Sequence, residues 1–155
     1  MPKRFVFRLE ALLTVKKNKE EEIKQRLAQK NREAEDVRRE IEATQNQLKA
    51  FQSETKETRK SGDGNVIAMR QSVAYRNQLK LDLLKAGQRL DDVMIAAYGI
   101  NQELIKAAQE RRAVEIIKEK RYEEWKRENA VAEQKFIDDL SQQRFIRNAR
   151  KDGGG

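Results

Sequence analysis

Lys60–Val66 reads KSGDGNV, and no comparable cluster of turn formers occurs in the fifty residues on either side. Glycine tolerates positive φ, and Ser61 and Asp63 are residues that bond back to nearby backbone amides. The stretch therefore predicts a break between two helices, provided that the flanks are helical. A heptad count settles the flanks. From Leu9 in steps of four and three, the positions are Leu9, Leu13, Lys16, Glu20, Ile23, Leu27, Lys30, Ala34, Val37, Ile41, Thr44, Leu48, Phe51 and Thr55, and nine of the fourteen are apolar. From Leu79 the count gives Leu83, Ala86, Leu90, Val93, Ala97, Ile100, Leu104 and Ala107, apolar without exception. These are coiled-coil seams, weakened at Lys16 and Glu20 in the first and fraying in the second beyond Ala107.

The composition agrees. Of 155 residues, 39% are charged and 6% aromatic, with one proline, a profile of long helices. The same hydropathy would suit disorder, but disorder does not produce a seam. The expected fold is all-α: one domain over 1–155, with helix 1 at about 6–58, a turn at 59–67, helix 2 at about 68–148 and a flexible tail at 149–155. At about 1.5 Å per residue the helices are rods of roughly 80 and 120 Å. A short connection favours an antiparallel hairpin; a continuous rod in a parallel dimer leaves the glycines without a purpose.

Two registers fit. A turn centred near Asp63 stacks Leu48 on Leu79, Ile41 on Ala86, Val37 on Leu90 and Leu13 on Val114. Sliding by one heptad stacks Phe51 on Leu83 and Leu9 on Trp125. The first is preferred because it centres the bend on the glycines. In both, helix 2 outruns helix 1.

The net charge of +8 is unevenly placed. Residues 1–19 hold six basic residues against Glu10, and 141–155 hold four against Asp152, whereas 20–140 carry 24 of each sign. An antiparallel hairpin gathers both ends at one basic pole, which suits an acidic partner. Lys3, Arg4, Arg8, Arg144, Arg147 and Arg150 are its candidate contact residues. Trp125, Phe136, Ile137 and Leu140 are candidate apolar anchors, since little of the chain remains to cover them. Phe5 and Phe7 are expected to pack between the helices.

Catalytic chemistry is not legible. Histidine and cysteine are both absent, which removes the commonest base and metal ligands and all thiolate chemistry. The glycines of SGDG lack the spacing and lysine of a phosphate loop, and GDGN lacks the ligands of a calcium loop. Asp91–Asp92 and Asp138–Asp139 are neighbours on a helix, so they diverge by about 100°. Glu20–Glu22 read as a solvated face. No enzyme, metal or cofactor is expected. Arg8 and Glu10 fall inside what a signal peptide would need as its apolar core, so a soluble, unprocessed protein is expected.

The opening FVFRLEALLTVKKNKEEE, Phe5–Glu22, resembles the N-terminus of the FliJ family, small coiled-coil components of the bacterial flagellar export apparatus. The run ERRAVEIIKEKRYEEWKREN and the later EQKFIDDLSQQRF resemble the second helix of that family. The resemblance implies a non-catalytic stalk in the pore of a hexameric export ATPase, promoting ring assembly and activity. It also implies contacts with the cytoplasmic linker of the export-gate membrane protein and with export chaperones, and a cytoplasmic protein held at the inner membrane through its partners. The gate contact would fall on Leu79, Leu83, Ala86 and Leu90, residues that the seam also claims. The injectisome counterpart shares this architecture. A basic nucleic-acid-binding arm and a generic dimeric scaffold are the readings from other classes. Charge neutrality over 20–140 argues against the former, and no nucleic-acid partner is expected.

Overall fold

The computed structural model describes residues 3–62 and 65–154. It contains two helices, α1 (Glu10–Ser61) and α2 (Val66–Asp152), and no strand among the described residues. The fold is the expected all-α antiparallel pair. It resolves into two compact units, one formed by residues 1–19 with 107–155 and the other by 20–106.

Within the unit formed by 20–106, Phe51 meets Tyr75 at 4.7 Å between ring centroids, Glu40 meets Arg89 at 2.6 Å and Arg26 meets Glu103 at 3.0 Å. Within the other unit, Lys16 meets Glu110 at 3.0 Å, Glu10 meets Lys118 at 2.8 Å, and Leu13 shares a buried cluster with Val114. These partners belong to the register centred on the glycines. The slid register, with Phe51 on Leu83, is not formed.

The seam follows the heptad count. None of the counted positions from Leu13 to Thr55, or from Leu79 to Ala107, is exposed. Lys16, a polar seam residue, reaches across to Glu110. Glu20 departs from expectation: it is buried rather than part of a solvated face, and Lys24 one turn on lies 3.5 Å from its carboxylate. A carboxylate at a seam position is tolerated where a cation stays close to it, and the Lys24 ammonium does so from the exposed side of the helix.

The helix ends also differ from the expected bounds. α1 begins at Glu10 rather than near residue 6 because Phe5, Val6 and Phe7 alternate instead of spiralling. Phe7 is buried, Phe5 half-buried, and Val6 between them is 78% exposed. A period of two is that of an extended chain, and it turns both phenyl rings onto α2. On a helix the same two rings would diverge by about 200°. The Glu10 amide then donates to the Phe7 carbonyl (3.2 Å), and the Glu10 carboxylate sits in the first turn, where the helix dipole favours it. At the other end α2 runs to Asp152, so the tail expected from 149 starts only at Gly153, whose amide donates to the Ala149 carbonyl (3.0 Å).

At the break, Gly62 follows the last residue of α1 with φ +73°, the left-handed conformation that closes helices. Asn65 caps α2: its side-chain Oδ1 accepts from the Ile67 amide at 3.2 Å, and its carbonyl accepts from the Met69 amide at 3.0 Å. The roles expected of Asp63, Gly64 and the Ser61 side chain lie outside the described residues. A Cβ at Gly62 would touch nothing within 4 Å, so Gly62→Ala should cost only its backbone strain, about 1–2 kcal/mol. Urea denaturation followed by circular dichroism would measure it.

Candidate partner-binding surface

The helices separate at the end of α2 that faces the chain start. Phe5 packs edge-to-face on Tyr122 at 5.2 Å and lies 5.9 Å from Trp125, while Tyr122 and Trp125 stack at 5.8 Å. Beyond this trio the first helix has nothing more to offer. Every described residue from Ala130 to Gly154 is exposed.

The seam nevertheless continues. At about 100° per residue, Val114, Trp125, Phe136 and Leu140 fall on one face of α2, with Ile137 at its margin. Phe136 is 64% exposed and Leu140 40%. A coiled-coil stripe therefore runs on past the last described residue that covers it. Arg147 and Arg150 extend the same face, and Lys151 and Arg144 lie at its edge. All four are exposed, and none forms an ion pair among the described residues. The result is an apolar patch leading into a row of cations.

Other expected contact residues lie nearby. Lys3, Arg4 and Arg8 are exposed. A groove of ≈ 460 Å³ separates the extended segment from α2, with Arg8, Leu9, Ile117, Arg121 and Trp125 among its walls. Trp125 is half-buried against Phe5, so it is not the open anchor expected of it. Phe136, Ile137 and Leu140 are open.

Upstream on the same helix one group of charges is tied down. Arg111 meets Glu115 at 2.8 Å, and Arg112 meets Glu115 at 3.3 Å and Glu119 at 3.0 Å. Hydrogen bonding to Arg111 first, and then to Arg112, holds the Glu115 carboxyl below its ordinary range against the opposing effect of burial. The bond to Glu119 raises the Arg112 guanidinium. The four cations at the helix end make no such pair among the described residues.

The positions that the resemblance assigned to a gate contact lie in the seam that also claimed them. In the unit formed by 20–106, Leu79 and Ala86 are buried in the seam, and Leu83 and Leu90 are half-buried beside them. The outward side of α2 instead exposes Leu84, Ile95 and Tyr98, at 60%, 70% and 68%. Sequence reasoning missed these residues because it counted only one stripe. The signal was available, since Leu84, Ile95, Tyr98 and Ile105 also keep helical spacing.

Among the described residues there is no cluster of three or more potential metal ligands, and no helix is long and apolar enough to cross a membrane. No curated protein and no solved structure matches the chain. The sequence model of the flagellar FliJ protein does match, over residues 5–150, a span that takes in the extended start, the break and the open face at the end of α2. With nearly the whole length covered, this chain belongs to the FliJ family.

Proposed function

We propose that the chain is a non-catalytic coiled-coil stalk of the flagellar protein export apparatus, and that it engages the export ATPase ring through the end of α2. One observation carries this reading: the seam stripe continues through Phe136 and Leu140, with Ile137 at its margin, without a partner among the described residues, and ends among Arg144, Arg147 and Arg150. An apolar stripe flanked by unengaged cations suits an acidic surface with an apolar groove. The family match favours the flagellar apparatus over an injectisome.

On this reading the stalk promotes assembly and activity of the hexameric ATPase, and links it to the export gate and to export chaperones. Leu79 and Ala86 are buried while the helices are paired, and Leu81 and Leu84 are the exposed apolar residues nearest to them. Placement in the cytoplasm, at the membrane only through partners, belongs to the same reading.

The test is reconstitution with the cognate export ATPase. Co-elution on size exclusion and faster ATP hydrolysis at saturating stalk are expected. Unchanged hydrolysis together with separate elution would overturn the proposal.

A further inference from the structure

The charge balance of residues 20–140 conceals a local surplus. Between residues 49 and 80, seven basic residues stand against three acidic ones. The pairing of α1 with α2 in the unit formed by 20–106 brings the two sides of this surplus together, at the level where Phe51 meets Tyr75. A groove of ≈ 290 Å³ lies between the helices there, with Lys56 and Arg59 on one wall and Ser72 and Arg76 on the other; no carboxylate lines it.

The Arg76 Nε atom is the second observation. It is shielded from water and has no hydrogen-bond partner among the described residues. Buried donors almost always find an acceptor, and a charged one left without costs more than a neutral one. Elsewhere this chain supplies that acceptor itself: Lys16, Arg26, Arg89 and Lys118 each reach a carboxylate on the opposite helix. Lys56, Arg59 and Arg76 have none among the described residues.

We propose that this groove binds a compact phosphate-type anion. The Arg76 and Arg59 guanidinium groups are its ligands, Lys56 adds charge, and the Ser72 hydroxyl is a further donor. Three cations exceed what one carboxylate neutralises, and the guanidinium fork matches the spacing of phosphate oxygens. The groove lies at the lower end of small-molecule site volumes, which suits a phosphoryl group with little attached. Phe51 provides an apolar wall for a small organic substituent.

The experiment follows the arginine Nε–H signals of the full chain by NMR. Sodium phosphate, pyrophosphate or phenyl phosphate is titrated in at ionic strength held constant with sodium chloride. A saturable shift of the Arg76 signal at millimolar anion is expected. Arg59→Gln should weaken the affinity by about tenfold or more, the equivalent of about 1.4 kcal/mol. Arg76→Lys keeps the charge but loses the fork, and should weaken it similarly. Lys85→Gln, on an exposed site outside the groove, should change nothing. Circular dichroism confirms that each variant remains helical, and Arg59→Gln alone suffices if Arg76→Lys does not. Tighter binding of phenyl phosphate would place the phosphoryl group on an organic molecule, and equal binding would assign a free anion. Absence of a saturable shift, or linear shifts shared by every surface arginine, would overturn the proposal.

Discussion

Leu13→Ala is expected to destabilise the protein by about 2–5 kcal/mol, the range for removing a large aliphatic side chain from a packed site. Leu13 is 2% exposed and is the largest fully buried side chain among the described residues. It packs with Phe7 and Val114, and Phe5 lies against the same cluster. The truncation should fall toward the upper half of that range, because the cluster joins three separate pieces of chain: the extended start, α1 and α2. A cavity there weakens the hold on Phe7 as well as the helix pairing. Leu12→Ala is the control. Leu12 is 40% exposed, and its loss should stay within about 0.5 kcal/mol. Urea denaturation of the two variants measures the difference, and equal midpoints would show that the cluster contributes nothing special.

Reversing Arg144, Arg147 and Arg150 to glutamate is expected to weaken the proposed binding to the export ATPase by on the order of 100-fold, if each reversal costs about 1 kcal/mol. Helix content and thermal midpoint should stay close to wild type, since all three residues are exposed and none is engaged within the described chain. Wild-type affinity should fall as salt is raised, because the charges act at a solvent-accessible surface, and the variant should lose most of that dependence. Lys85→Glu, an exposed charge in the other unit, should bind as wild type does. Equal affinities for the triple variant and wild type would remove the end of α2 from the interface. Affinity by calorimetry and stability by thermal denaturation separate loss of contact from loss of fold.

The helix pair was legible because a heptad seam is a long-range signal that single substitutions do not erase. Ile23, Ala34, Leu79 and Ala86, all counted from sequence, are all buried. Register was legible only as a choice of two, since both alternatives stack apolar on apolar. What separates them is cross-helix pairing such as Lys16 with Glu110 and Glu40 with Arg89, which needs the fold to be seen.

The extended start was hidden for a different reason. Its period of two occupies three residues, Phe5, Val6 and Phe7, too few for a pattern to stand out from a neighbouring helix. Glu20 was misread because two further glutamates follow it and the run as a whole looks solvated, although only Glu20 occupies a seam position. At the candidate site, the open face of Phe136, Ile137 and Leu140 was foreseen from helix lengths alone. The covering of Trp125 was not, because it depends on where Phe5 comes to rest. The cationic groove near the break escaped because charges summed over 121 residues cancel, whereas folding groups them by proximity in space.

The resting place of Phe5 has an optical consequence. Trp125 is the only tryptophan in the chain, and its ring lies against both Phe5 and Tyr122. Its emission therefore reports how the first few residues are seated, and not how much helix is present. Displacement of that segment brings water to the indole and shifts the spectrum to the red while far-ultraviolet dichroism stays unchanged. The protein carries a native fluorophore at the junction where its two helices part company.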